Sequence, residues 1–139
     1  IFHPSGALGK GFTYKVADLM LTDPEKLPIA KETDSFADVI KLISEKKLGM
    51  AMIVNSEGVL TGVITDGDIR RALIKYQISS LLVKDVMSVN PKHISQKDYG
   101  ASALNLMEKF SITALAVVNE NNKPIGVIHI HDLLKAGVA

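Results

Sequence analysis

A hydroxyl and a carboxylate, Thr65 and Asp68, lie three residues apart where an apolar segment gives way to a polar one. Residues 59–64 have the composition of a buried strand, and a helix is predicted from Asp66 to about Lys75. The first turn of a helix leaves backbone N–H groups without partners, and these groups, at the positive end of the helix dipole, suit a phosphate. Asp68 could accept hydrogen bonds from two neighbouring ribose hydroxyls. The pattern is therefore compatible with a nucleotide site.

The same two residues also fit a capping box, in which both side chains only satisfy backbone donors of the helix. Taken as a single copy, this short motif favours the capping interpretation, and both interpretations remain open. The adjacent Arg70 and Arg71 could likewise either bind a ligand or be exposed to solvent. A guanidinium group suits a carboxylate or phosphate ligand, but at least one of two adjacent arginines must lie on a solvated helix face.

Two histidines, His129 and His131, precede Asp132 in a second stretch of the same kind. On one extended strand their side chains would share a face, as a metal pair requires. A strand ending at His129 and a helix starting near Ile130 would instead separate the two rings, so we expect no metal site. Either the imidazoles face a cleft and hydrogen-bond a polar or anionic ligand, or His129 serves as a helix N-cap.

The composition limits the class of protein. The chain has 139 residues, 47% of them hydrophobic and 22% charged, with a net charge of +1 and no cysteine. These values predict a globular protein without disulfides, thiolate metal sites or a basic surface for nucleic acid. No apolar run reaches the length of a membrane span, and a cytoplasmic location is expected. The chain opens on Ile1 without Met or a signal-peptide pattern, so we expect a piece of a longer protein.

An internal repeat organises the chain. Residues 83–87 repeat residues 16–20 at an offset of 67, and from Asp98 onward the offset becomes 64, which places Asp132 on Asp68. Each unit reads as loop, helix, strand, turn, strand and helix. The first long helix begins after Ser35, and Gly49 is the expected C′ residue that ends it. We expect residues 1–15 to be a linker or the tail of a preceding domain, and residues 16–78 and 79–139 to be two repeats that pack on each other.

The repeat resembles a pair of CBS domains, regulatory modules that bind nucleotides between their two copies. The resemblance implies a mixed α+β fold of two β-α-β-β-α repeats related by a pseudo-two-fold axis. It implies a phosphate contact at Thr65, a ribose contact at Asp68 and an equivalent carboxylate at Asp132. His129 stands where the second copy would carry a threonine. The implied base pocket is lined by Met50, Ala51, Thr113 and Ala114.

Both ends of the chain resemble arabinose 5-phosphate isomerases, in which a sugar-isomerase (SIS) domain precedes a CBS pair. Residues 3–9 (HPSGALG) are similar to the end of the SIS domain, and residues 126–137 (GVIHIHDLLKAG) to the second CBS motif. The resemblance implies that His3 matches an active-site histidine whose partners lie outside this chain. Within the chain there is no cysteine nucleophile and no serine in a nucleophile-elbow context, so we expect no catalysis by this piece alone.

The resemblance thus implies a regulatory CBS pair of an isomerase that makes D-arabinose 5-phosphate for Kdo and lipopolysaccharide synthesis. CMP-Kdo is the ligand expected for feedback regulation, with no cofactor, and AMP or ATP is the alternative. The expected ligand residues are Thr65, Asp68, Asp132, His129, His131, Arg70 and the four of the base pocket. A different hypothesis is that the pair binds nothing and holds the subunits of a dimer or tetramer together.

Overall fold

The computed structural model describes residues 13–77 and 80–139. The first half contains, in chain order, α1 (Val16–Leu19), a short 3-10 helix (Pro24–Lys26), β1 (Ile29–Lys31), α2 (Phe36–Lys46), β2 (Met50–Val54), β3 (Leu60–Thr65) and α3 (Asp66–Lys75). The second half contains α4 (Val83–Val86), β4 (Ser88–Val89), β5 (His93–Ser95), α5 (Gly100–Phe110), β6 (Ala114–Val118), β7 (Pro124–His129) and α6 (Ile130–Lys135). The predicted β-α-β-β-α order is confirmed in both repeats.

Two mixed sheets form the framework, and their strands run in equivalent directions. The first sheet has the order β1-β2-β3-β4 and the second has the order β5-β6-β7. In each sheet the first pair is parallel and the second antiparallel, with Ala51 opposite Ile64 and Leu115 opposite Ile128. The mixed α+β class with two related repeats is therefore confirmed.

Alternation along the central strands explains how both sheets are buried on two faces. In β2, Ala51 and Ile53 pack with the helices of the first repeat, whereas Met50 and Met52 point to the opposite face. The residues on that opposite face meet Ala116 and its neighbours from β6. Because successive side chains of a strand point to opposite faces, one apolar run can serve both a helix-covered core and the interface between the repeats.

The short helices α1 and α4 are exchanged between the repeats. Val16 of α1 is fully buried in the core of the second repeat, and its N–H donates to the Asp98 carbonyl at 2.7 Å. Val83 of α4 is fully buried in the core of the first repeat, and its N–H donates to the Asp34 carbonyl at 3.0 Å. Each repeat therefore needs a segment of the other to complete its core.

The ends of α2 show how local sequence sets the elements that border the site. Ser35 caps the helix, accepting from the Asp38 N–H at 3.1 Å. The left-handed residue that ends the helix is Lys47, with φ of 61°, and not Gly49, whose φ of 72° belongs to the following turn. The prediction of Gly49 as the terminating residue was wrong because Lys47 adopts the left-handed conformation itself.

Candidate functional site

Thr65 and Asp68 form a complete capping box at the start of α3. The Asp68 N–H donates to Thr65 Oγ1 at 3.3 Å, and Asp68 Oδ2 accepts from the Thr65 N–H at 3.0 Å and from its hydroxyl at 3.2 Å. The capping box, one of the two interpretations of this sequence motif, is therefore present in the structure. Thr65 also lines a cleft, and the phosphate contact there stays a prediction.

This cleft, called here the copy-one cleft, has a volume of about 490 Å³ and lies between the two repeats. The β3–α3 junction and the start of β2 supply one wall, and the end of α5 and the start of β6 supply the other. Five residues predicted from the sequence line it: Met50, Thr65, Arg70, Thr113 and Ala114. Residues from both repeats thus meet at one cavity, as a shared ligand site requires.

Cations dominate the charged lining of the copy-one cleft. Arg70, Arg71 and Lys92 line it together with one acidic residue, Asp66. The Lys92 ammonium lies 4.3 Å from the centroid of the Phe110 ring, which places a charge and an aromatic face at the same wall. Arginine and lysine side chains beside an apolar floor are suited to a ligand that carries an anionic group and a ring.

Two residues predicted for this site do not reach the cleft. Ala51 is fully buried, with its side chain in the core of the first repeat. Asp68 is only 6% exposed, and its second oxygen, Oδ1, accepts from Arg71 at 2.7 Å and from the Ser88 hydroxyl at 3.1 Å. A ribose contact at Asp68 stays a prediction, and it requires one of these donors to leave.

The two histidines of the second repeat are brought together. Their ring centroids are 4.8 Å apart and the rings are nearly parallel, at 3°. The expectation that the helix start at Ile130 would separate the rings was wrong, because the ring of the N-cap residue turns toward the first helical turn. His129 Nδ1 accepts from the His131 N–H at 3.1 Å, so His129 is the N-cap of α6 and its neutral ring carries the proton on Nε2.

Burial and charge both act on His129. Burial lowers the pKa of His129 below its ordinary value, the nearby His131 lowers it further, and the Asp132 carboxylate opposes the shift. Asp132 itself accepts from the His129 N–H at 2.8 Å. His129 lines a neighbouring, wider cleft of about 600 Å³, which shares Asp66 and Thr113 with the copy-one cleft. His129, His131 and Asp132 are therefore not among the residues that line the copy-one cleft.

Sequence reasoning missed Lys92 and Ser88, and it left Phe110 open as a packing residue or part of a cleft rim. Lys92 immediately precedes β5, Phe110 ends α5 and Ser88 lies in β4. None belongs to the repeated motif, and each reaches the site only through the exchange and packing of the repeats. The local sequence around them contains no signal of a ligand.

The described residues 13–77 and 80–139 contain neither a cluster of possible metal ligands nor a membrane-spanning helix. No group of three or more His, Cys, Asp or Glu side chains there could hold a metal ion. No helix in the same part of the chain is long and apolar enough to cross a bilayer. His3 lies outside it, so its predicted match to an isomerase histidine has no structural description.

Comparison with family models gives the assignment that the repeat suggested. The CBS domain model matches residues 16–75 and again residues 83–139. The chain belongs to the CBS domain family. The two matches make it a tandem CBS pair, with each match ending in one of the helix-start motifs described above.

Solved CBS pairs share this fold. The crystal structure of CBSX2 in complex with AMP is 25% identical, covers 90% of this chain and 96% of that one, and has a TM-score of 0.75. A CBS domain pair solved in complex with 5′-methylthioadenosine and S-adenosyl-L-methionine is 21% identical, covers 87% of this chain and 93% of that one, and has a TM-score of 0.76. The second likeness concerns the fold alone.

Among curated proteins, the CBS pair is similar to parts of longer chains. An uncharacterized protein of Helicobacter pylori is 41% identical over 138 residues, which is 99% of this chain and 41% of the relative. Arabinose 5-phosphate isomerase KdsD of Francisella tularensis is 39% identical over 96% of this chain and 40% of its own. The KdsD of Pseudomonas aeruginosa is 38% identical over 98% of this chain and 42% of its own. The chain thus spans about two fifths of these relatives.

Proposed function

We propose that this CBS pair is the regulatory part of a cytoplasmic D-arabinose 5-phosphate isomerase in Kdo and lipopolysaccharide synthesis. The pair binds a nucleotide or nucleotide-sugar effector, and CMP-Kdo is the favoured one. Occupancy is transmitted to an SIS domain that carries the catalysis, which the pair itself does not perform. The similarity to KdsD over nearly the whole chain supports the link to this enzyme.

The copy-one cleft is the observation that carries the proposal. It is a cavity of about 490 Å³ shared by both repeats and lined by Thr65, Arg70, Arg71 and Lys92. A phosphate suits the Thr65 hydroxyl and the guanidinium groups, because charge-assisted hydrogen bonds from arginine to phosphate are short and strong. CMP-Kdo adds a carboxylate, for which the second arginine or Lys92 offers a partner. The base lies against Met50, Thr113 and Ala114.

Adenine nucleotides are the alternative effectors. The crystal structure of CBSX2 contains AMP, and it superposes on this chain with a TM-score of 0.75. AMP supplies the same phosphate and ribose as CMP-Kdo but lacks the carboxylate of its sugar acid. A binding comparison that includes both nucleotides therefore separates the two effector classes.

An assembly role without ligand is favoured by a different observation. The side chains of Leu73 and Ile74 on α3 are 51% and 88% exposed, and Leu134 on α6 is 52% exposed. Apolar side chains on exposed helix faces are typical of surfaces that contact another subunit. In this case the pair holds a homodimer or tetramer together, and ligand binding is absent.

Thermal unfolding with candidate effectors tests the proposal. The chain is melted alone and with CMP-Kdo, CMP, AMP, ATP or arabinose 5-phosphate. A ligand that binds only the folded state stabilises it by about 2.7 kcal/mol at a hundredfold excess over its Kd. We expect the largest rise in Tm with CMP-Kdo. No rise with any of the five would contradict an effector role, and a concentration-dependent Tm without ligand would favour the assembly role.

A further inference from the structure

We propose that Arg71 is an autoinhibitory residue of the copy-one cleft: its guanidinium group occupies an Asp68 oxygen that a ligand hydroxyl needs, and the ligand displaces it in order to bind. The inference rests on the proposed function, because it concerns how an effector enters the same cleft. The CBS likeness implies that Asp68 contacts the ribose of such an effector. Release of Arg71 is the event that makes this contact possible.

The carboxylate of Asp68 has no vacant acceptor position in the structure. Oδ2 accepts from the N–H and the hydroxyl of Thr65, and Oδ1 accepts from Arg71 and from the Ser88 hydroxyl. An ionised carboxylate offers about four lone-pair positions, and these four donors occupy them. A ligand hydroxyl therefore binds Asp68 only in exchange for one of the four.

Arg71 is the donor that leaves at the lowest cost. Its side chain is 72% exposed, so water solvates the guanidinium group as soon as it turns away. An ion pair with one partner exposed to this degree contributes little net stability, because solvent screens the charge. Asp68 is only 7% exposed, but its charge is not left without a partner, because the incoming hydroxyl takes the place of the departing N–H.

The other three donors are fixed by the backbone around them. The Thr65 N–H and hydroxyl belong to the capping box, so their loss would open the start of α3. Ser88 lies in β4 and is paired with Val63 of β3, which keeps its hydroxyl beside Asp68. Arg71, in contrast, reaches Asp68 at the end of a long side chain with several rotatable bonds. The order of exchange is therefore set by how each donor is attached.

The guanidinium group of Arg71 also covers part of the cleft wall. Its two terminal nitrogens lie 3.3 and 3.5 Å from the position that a Cβ on Gly67 would take. Gly67 and Arg71 both line the copy-one cleft, and Gly67 belongs to the first turn of α3. In this conformation Arg71 thus lies over the helix start at which an effector is proposed to bind, and it blocks the Asp68 carboxylate as well.

The second repeat has the same carboxylate without this contact. Asp132 accepts from the His129 N–H at 2.8 Å, and Lys135 is the equivalent of Arg71. Among residues 13–77 and 80–139, Asp132 and Lys135 do not form the ion pair that Asp68 and Arg71 form. Lys135 therefore supplies a control variant that removes a cation at the equivalent position without freeing a carboxylate.

Titration with neutral nucleosides tests the displacement, because adenosine and cytidine carry a ribose but no charge that Arg71 could attract. Each is titrated by amide NMR into the unaltered chain, Arg71→Met and Arg71→Lys. We expect Arg71→Met to tighten nucleoside binding by about two- to fivefold, the range of an exposed ion pair, and Arg71→Lys to lie between. Added salt should tighten binding by the unaltered chain, since salt screens the internal ion pair, and should leave Arg71→Met unchanged.

Lys135→Met is the matched control and should bind nucleosides as the unaltered chain does. Nucleoside affinity that Arg71→Met leaves the same or weakens overturns the inference, and so does an absence of nucleoside binding by both the unaltered chain and Arg71→Met.

A crystal structure with the nucleotide that raises the Tm most gives a second readout. We expect the 2.7 Å contact between Arg71 and Asp68 to be broken and a ribose hydroxyl to lie at Asp68 Oδ1. An intact contact beside the bound nucleotide would contradict the displacement. If none of the five candidate effectors raises the Tm, the proposed function fails instead.

Discussion

His129 ends β7 at the position where Thr65 ends β3, and it caps the following helix with a ring nitrogen in place of a hydroxyl. The cap bond needs an unprotonated Nδ1, and burial and the nearby His131 lower the pKa of His129. As the pH falls below about 6.5, the unfolded chain binds a proton at this site before the folded chain does. We therefore expect the free energy of unfolding to decrease as the pH falls from about 7 through this lowered pKa.

Substitution of His129 by the residue of the first repeat tests this pH dependence. His129→Thr should flatten the decrease of unfolding free energy in urea titrations between about pH 7 and pH 5, because a threonine cap does not titrate there. Equal slopes for His129→Thr and the unaltered chain would show that His129 does not contribute.

One exchanged segment brings its backbone close to a strand of the other repeat. The segment after α1 runs beside β7, where the Leu21 N–H donates to the Val127 carbonyl at 2.8 Å and the Val127 N–H donates to the Leu21 carbonyl at 3.1 Å. A Cβ on Gly126 would lie 2.7 Å from the Leu21 carbonyl oxygen and 3.3 Å from the Met20 sulfur. The first of these atoms is backbone and cannot turn away. Glycine at this position is therefore required by the approach of α1 to the second sheet.

Gly126→Ala should consequently destabilise the chain by about 1–3 kcal/mol, the usual cost of overpacking, as measured by urea unfolding. Gly100→Ala is the matched control, because its nearest neighbours would be 3.4–3.5 Å away and it begins α5. Alanine favours helix over glycine by up to about 1 kcal/mol, so this control should be neutral or stabilising. Similar losses in both variants would show that the contact with Leu21 is not limiting.

The positions of the helices and strands could be predicted from the sequence far better than which of them pack together. The apolar run of β2, the cap at Ser35 and the start of α3 at Asp66 follow from local patterns, and the structure confirms them. The exchange of α1 and α4 could not be predicted, because a repeat offset is the same whether a segment packs on its own repeat or on the other. For the same reason the repeated motif indicated Thr65 and Asp68 as site residues but not Ser88. Ser88 reaches Asp68 from β4, which pairs with β3 of the first sheet.

The two repeats have the same backbone fold, but they carry different charged residues at equivalent positions. Leu134 is the equivalent of Arg70. Pro28, which precedes β1, is the equivalent of Lys92, which precedes β5. Lys46 stands at the position of Phe110, and its ammonium donates to the backbone carbonyl of Glu25. Two of the three cations that line the copy-one cleft, Arg70 and Lys92, thus have apolar equivalents, whereas the equivalent of Arg71 is Lys135. We therefore expect a phosphate ligand to prefer the side of the pseudo-two-fold axis on which the copy-one cleft lies.

This asymmetry predicts one nucleotide per chain. Calorimetric titration with CMP-Kdo, or with CMP or AMP if either raises the Tm more, should give a stoichiometry of one. Arg70→Leu places the residue of the second repeat into the copy-one cleft and should weaken the affinity by about tenfold, since a charge-assisted hydrogen bond is lost. Leu134→Ala alters the equivalent position of the second repeat and should change neither stoichiometry nor affinity. Two sites of similar affinity would show that the stacked histidines and Lys135 serve an anion as well as Arg70, Arg71 and Lys92 do.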